Sequence, residues 1–296
     1  MREAKSHSSP LRGEGDQRSS RRGVSAGDRL AETPLHHPSD GPQRQVDHAP
    51  HDRGSSGGRS HLPLLAGEDW VVLLRIAAEE GHAEAQALYA QVLLDGTATP
   101  AGPRAAFGWF VKAAAQHHLM ALNMVGRCYD LGWGTAPDKT SAAECYRIAA
   151  ERGLDAAMYN YATLLALGEG IAEDKVAALA WLERAVAAGE GVQRAKALNC
   201  IGSFAEDGWA GPVDLAKAAT CYAEAAEGGD FRGCFNHARM LGEAGRVEEA
   251  LPWLRAAGGQ GNARFVAQVE TWLAASAIPG FATRGQAALR EGAERC

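Results

Sequence analysis

The sequence predicts an all-α protein, an α-solenoid built from stacked antiparallel helix pairs. Three observations predict it. An alanine-rich run recurs, at Ile76–Ala85, Lys112–Ala121, Ala149–Ala162 and Ala225–Gly233. The copies keep a period of 36 residues, with Gly81, His117 and Gly153 in one column. Long Val/Ile alternations are absent and alanine is abundant, which favours helix over strand. A fixed period of about 20–50 residues is what stacked repeats produce, because one unit cannot bury its own apolar face.

Taken in order, residues 1–66 come first. They hold no Phe, Tyr or Trp and are rich in Arg, Ser, Gly, Pro and His. Such a segment buries too little apolar surface to offset its ordering entropy, so it is expected to be disordered and low in complexity. Its six histidines (His7, His36, His37, His48, His51, His61) would bind metal only if something fixed their geometry. The solenoid is expected over 67–275, starting at Asp69-Trp70. A capping tail, with a short helix, is expected over 276–296.

Within the solenoid two columns stay small. Ala85, Ala121, Ala157, Ala197 and Gly233 form the first; Ala90, Gly126, Ala162, Gly202 and Ala238 form the second. Helices approach closely only where side chains are small, so these columns mark helix crossings. The third spacing is 40 rather than 36, which places four extra residues around Gly189–Gln193.

The unit reads as two helices. Its first helix, for example Leu154 to Leu167, ends at Gly168-Glu-Gly170, where glycine permits positive φ. Asp174 then caps a second helix through Ala177, Leu179, Trp181, Leu182 and Val186 to Gly189. The same loop recurs as Gly132-Trp-Gly134 with Asp138, and as Gly208-Trp-Ala-Gly211 with Asp214. In the first unit Gly96 is kept, but Pro100 and Pro103 replace the second glycine and the aspartate. Trp109-Phe110, Trp181-Leu182 and Trp253-Leu254 open second helices, and Cys145-Tyr146 and Cys221-Tyr222 hold the same two positions. Those cysteines therefore read as packing residues. Pro252 is expected to perturb the early turn that contains it.

These residues resemble the Sel-one-like repeat (SLR), a branch of the tetratricopeptide-like (TPR-like) helical repeats. The pattern is Trp/Tyr-x-x-Ala-Ala-x-x-Gly, two small residues, Gly-x-Gly and Asp, best seen in Phe110–Asp138 and Tyr146–Asp174. The resemblance covers about 69–275, five repeats with a partial sixth. It implies a right-handed superhelix and an adaptor role without chemistry of its own. Some secreted members tie each helix pair with a disulfide. Here Ala225 and Ala226 stand where the partner of Cys234 would be, so that subclass and its penicillin-binding activity are not supported.

Composition narrows the function classes. Residues 1–66 hold 10 Lys/Arg and 8 Asp/Glu; the remaining 20 and 28 give the body a net charge of −8. An acidic body repels phosphate, which argues against nucleic acid as partner. No apolar run reaches the roughly 18–20 residues that span a bilayer, and Met1 to Asp28 has no apolar segment of a secretory signal. A cytoplasmic protein is the expectation. The sequence has no Gly-x-Ser-x-Gly, no His-Glu-x-x-His and no phosphate loop. Gly168-x-Gly170 follows a helix rather than a strand, so it is not a dinucleotide fingerprint. No Cys-x-x-Cys occurs among the six cysteines, and the adjacent His117 and His118 face different directions on a helix. No cofactor and no metal site are expected.

The candidate site is the groove lined by the first helices. Counting from the first small column, it takes in Asn123, Tyr159, Asn199 and Phe235, then Asn160 and Asn236, then Arg127 and Arg239. Asparagine offers donor and acceptor to an extended backbone, and arginine offers a fork to a carboxylate. The same asparagines could instead bond between repeats. Trp133 and Trp209 sit inside the glycine loops, as exposed anchors for a partner or folded back on the neighbouring repeat. The reading is a non-catalytic adaptor that binds a protein or peptide. The alternatives are a hydrolase with its site in the groove, or a metal- or redox-responsive accessory protein.

Overall fold

The computed structural model describes residues 69–96, 100 and 102–295. Segment 1–66 with its histidines, and Cys296, lie outside these residues. Thirteen helices and no strand occur among the described residues. They are α1 (Asp69–Glu79), α2 (Ala83–Asp95), α3 (Pro103–Ala115), α4 (Leu119–Leu131), α5 (Lys139–Glu151), α6 (Asp155–Leu167) and α7 (Lys175–Ala188), followed by α8 (Gly191–Asp207), α9 (Leu215–Glu227), α10 (Phe231–Glu243), α11 (Val247–Gln260), α12 (Ala263–Ala274) and α13 (Phe281–Ala293).

From α1 to α11 each helix packs on the next, which makes one continuous stack. The first helices of the units are α2, α4, α6, α8, α10 and α12. Among them α6 also packs on α8, and α8 on α10, closer than second helices α3 to α9 pack on one another. Over α6 to α10, then, the first helices make the more closely approaching side of the stack. The stack closes differently at its end. There α13 packs on α11, with Gly258 against the Leu289 carbonyl and Gly292 against the Arg255 carbonyl.

Local chemistry sets the helix boundaries. Asp138, Asp174 and Asp214 each cap a second helix, accepting backbone N–H bonds from Ser141 (3.1 Å), Ala177 (2.9 Å) and Lys217 (2.9 Å). Gly96, Gly132, Gly168 and Gly208 end the first helices in the left-handed conformation. The second glycine of the loop has a separate reason. A Cβ on Gly170 would lie 2.3 Å from the Lys139 carbonyl carbon, because the loop rests on the start of α5. The turn from second to first helix also needs positive φ, met by Gly81, Gly153 and, unusually, His117 at φ 65°.

The small columns sit at crossings: Ala90, Ala121, Ala157, Ala162, Ala197 and Ala238 are buried. Two expectations change. Trp109, Trp181 and Trp253 lie in the middle of α3, α7 and α11, because their helices begin a full turn or more earlier. Pro252 is the sixth residue of α11, and the helix continues through it to Gln260.

Candidate partner-binding face

The expected groove residues lie on the first helices, but not as an open ladder. Asn123, Tyr159, Asn160, Asn199, Asn236 and Arg239 each expose less than a tenth of their surface, and Phe235 exposes none. The expectation that these side chains line an open groove is corrected by what they touch. The amide of Asn160 donates to Asn123 Oδ1 across 2.9 Å, and that of Asn236 to Asn199 Oδ1 across 2.9 Å. Each bond joins one unit to the next, 37 residues on. Between α6 and α8 the same place is taken by Tyr159 and Cys200, with hydroxyl and sulfur 4.0 Å apart. Phe235 packs edge-on against Phe265 and Trp272. A buried polar group must be satisfied, and here the neighbouring repeat satisfies it.

The two arginines of the expected set differ. Arg239 is buried, with Nη2 2.6 Å from Glu206 and Nη1 3.2 Å from Glu243. Glu206 also accepts the Tyr222 hydroxyl at 2.8 Å, so an Arg–Glu–Tyr network fills this position. Arg127 is only partly buried and lies 4.8 Å from the Trp133 ring centre. Its Nε is buried with no hydrogen-bond partner. Trp133 thus folds back onto its own unit. Trp209 lies edge-on to Phe204 of its own unit at 5.2 Å and under the Lys175 ammonium of the preceding unit at 5.4 Å.

Asp130 and Glu206 escaped the sequence reading, although both stand nine residues after the first small column. Asp130 is buried, 2.5 Å from Lys139 Nζ and 3.2 Å from the Tyr146 hydroxyl. Burial, then the Asp130 charge, pushes the Tyr146 phenol well above its usual range, so it stays a donor. A third missed set is Lys196, Arg232 and Arg264, near the starts of α8, α10 and α12. At this corner Asp230 caps α10 through the Gly233 N–H at 2.8 Å. Burial pushes its carboxyl up; the Arg232 charge, the Gly233 N–H and the Lys196 charge oppose that shift.

Cys128, Cys145, Cys200, Cys221 and Cys234 are free thiols. Burial pushes Cys128, Cys200 and Cys234 up to about 12 and Cys145 to about 11, the opposite of a nucleophile. Among the described residues no group of three His, Cys, Asp or Glu could hold a metal. His117 and His118 do not act as a pair. His118 caps α4, Nδ1 accepting the Ala121 N–H at 3.1 Å while Nε2 meets Glu84 at 2.7 Å. A cleft of about 530 Å³ between α10 and α12 is lined by Glu243, Thr271, Trp272 and Ile278. Its carboxylate is already held by Arg239. Among the described residues no helix is long and apolar enough to cross a membrane.

Four stretches match the Sel1 repeat model, at residues 83–118, 119–154, 155–190 and 195–230. The first three begin at the starts of α2, α4 and α6, and the gap at 191–194 is the four-residue insertion. The chain belongs to the Sel1-like repeat proteins. No curated protein matches it in sequence. Among solved structures it is similar to a protective antigen of uropathogenic Escherichia coli displaying an SLR fold. That likeness has 24% identity and a TM-score of 0.57, over 76% of this chain and 48% of the other. The chain thus spans about half of that antigen's length. It is also similar to a Sel1 repeat protein from Oxalobacter formigenes, with 22% identity and a TM-score of 0.56, over 78% of this chain and 100% of the other. An immunity protein from Pseudomonas aeruginosa has 14% identity and a TM-score of 0.50, over 72% and 81%. At these identities the likeness is one of fold.

Proposed function

We propose that this chain is a non-catalytic adaptor that holds a partner protein on the inner face made by its first helices. Sel1 repeat proteins are generally protein-interaction scaffolds, which supports the class. The observation that carries the reading is the asparagine ladder. By bonding repeat to repeat, it turns separate helices into one preformed surface, and a preformed surface loses less freedom on binding. Of the expected contact residues, Arg127, Trp133 and Trp209 retain exposed surface and go forward as contacts. Asn123, Tyr159, Asn160, Asn199, Phe235, Asn236 and Arg239 shape the face from beneath. Free thiols throughout the described core favour a reducing compartment such as the cytoplasm.

A photo-crosslinking residue tests this reading. It is placed at Met120 or Thr271 on first helices, or at Ala180 or Thr220 on second helices, all four exposed. In native lysate the first pair is expected to trap a partner. Trapping from the second pair alone would overturn the reading.

A further inference from the structure

We propose that two copies of this chain join head to head through α1 and the adjoining side of α2, as a two-fold dimer. This goes beyond the scaffold reading and concerns a different surface. α1 is a second helix without a first. One period back from α2 lie residues 47–59, which hold Pro50, Gly54, Gly57 and Gly58 but no Val, Leu, Ile, Met, Phe, Tyr or Trp. That stretch does not supply the apolar stripe of a repeat helix. On α1, Trp70, Val72, Leu73 and Ile76 expose between 42% and 52% of their surface, and α2 adds Leu88 at 50%.

The repeat shows what these positions do elsewhere. Trp70 stands where the later second helices keep Ala106, Ala142, Ala178, Ala218 and Ala250, all wholly buried. Val72 and Ile76 stand where α5 holds Glu144 and α3 holds Lys112, both in water. The Leu88 column continues as Met124, Asn160, Cys200 and Asn236, all buried. Three of these meet the preceding first helix, Asn160 at Asn123, Cys200 at Tyr159 and Asn236 at Asn199. Leu88 is therefore the contact that one repeat makes with the repeat before it, here uncovered. A terminal repeat that ends in water carries a polar outer face; this one carries apolar side chains.

The opposite end does not match it. There α13 closes the stack, and among the described residues no large apolar side chain beyond Leu215 is exposed. A head-to-tail array of copies thus lacks its second surface, whereas a two-fold pairing uses one patch twice and closes. Two-fold pairing lays α1 antiparallel to its copy. A first helix also runs antiparallel to its second helix, so each α1 stands in for the helix the other lacks. Pairing centred near Leu73 brings Trp70 across from the partner's Ile76. The five side chains expose on the order of 400 Å² per copy, the size at which an apolar patch marks an interaction site. Two such patches, at the roughly 65% apolar content of homodimer interfaces, make an interface of about 1,200 Å², the lower end for specific association.

The full chain is weighed by light scattering after gel filtration, over a range reaching about 50 μM, where a micromolar interface is occupied. The wild type should rise toward twice the chain mass. Leu73→Glu and Leu73→Lys should each weaken the dimer by about tenfold or more, since like charges then face each other. Their equimolar mixture should recover it, because opposite charges meet across the two-fold. Val176→Glu, at an exposed valine on α7, should leave the dimer intact. If the Leu73 variants do not fold, V72E/I76K, which installs the residue types found in α5 and α3, should also run as a monomer. A wild type that stays monomeric would overturn the proposal and leave the face to residues 1–66 or to an unrelated protein. Species larger than two, a dimer that survives Leu73→Glu, a charge-swapped mixture that stays monomeric, or equal loss with Val176→Glu would overturn it as well. The crosslinks from Met120 and Thr271 test the scaffold reading separately.

Discussion

Gly126 faces the ring of Tyr146 so closely that a Cβ there would lie 2.7 Å from the ring edge. Gly202 repeats the relationship with Tyr222 at 2.6 Å. Where the second helix brings Phe110 or Leu182 instead, the small residue is Ala90 or Ala162. The acid follows the same rule: Asp130 and Glu206 accept the two tyrosine hydroxyls, whereas Leu94 and Ala166 hold those places in the other units. Glycine, tyrosine and acid thus come as a set in two of the repeats. Gly126→Ala should destabilise the fold by about 1–3 kcal/mol, the usual cost of overpacking a core. Thermal unfolding checks this, and an unchanged midpoint would show that the ring can move aside.

Arg239 and Arg127 should respond differently to truncation. Arg239→Ala leaves Glu206, mostly but not fully enclosed beside Tyr222, without its cation, a change that should cost about 2–4 kcal/mol, toward the range for a broken buried pair. Arg127→Ala removes a half-exposed side chain stacked on Trp133 and should cost less than about 1 kcal/mol. Denaturant midpoints of the two variants decide it. Equal losses would mean that the Arg239 network contributes no more than a surface contact.

His117 occupies the left-handed region at φ 65°, where the equivalent turns use Gly81 and Gly153. An L-residue there gives up roughly 1 kcal/mol to Cβ crowding. His117→Gly should therefore raise stability by about 0.5–1 kcal/mol, less what glycine adds to the freedom of the unfolded chain. A lowered thermal midpoint would show that the imidazole makes a compensating contact.

The thiols give a pH dependence. Burial raises Cys128, Cys200 and Cys234 to about 12, above the roughly 8.5 of an unfolded cysteine. The folded state then holds protons that the unfolded state releases. Their stabilisation is full below about pH 8.5 and is lost as pH rises toward 12. The thermal midpoint of Cys296→Ser should fall steadily over that window. At pH 8 the buried thiols Cys128, Cys200, Cys221 and Cys234 should react with a disulfide reagent only after unfolding, whereas the partly exposed Cys145 is the one open to reagent in the native state. Rapid reaction of more than one thiol of the native protein at pH 8 would contradict this.

The repeat, the loop glycines, the aspartate caps and the close-packed small columns were all readable from spacing, because each answers a local backbone or steric demand. What spacing could not reveal was which side of a first helix meets the preceding unit. A period tells which residues are equivalent, while the tilt between successive helices decides which of them become buried. Asn123 and Asn199 looked like surface residues because asparagine usually is one. Their partners, Asn160 and Asn236, lie one repeat plus one residue further on, a signal that only inter-repeat geometry explains. The cations at Lys196, Arg232 and Arg264 were equally present in the column pattern.

A double-mutant cycle on Asn199 and Asn236 tests the ladder most directly. Each alanine variant should lose about 1–3 kcal/mol, since it leaves the other buried amide unsatisfied. The double variant should lose little more than either single one, giving a coupling of about 1 kcal/mol or more. Strictly additive losses, or two single variants as stable as the wild type, would show that the asparagines do not hold the repeats together and would contradict the account.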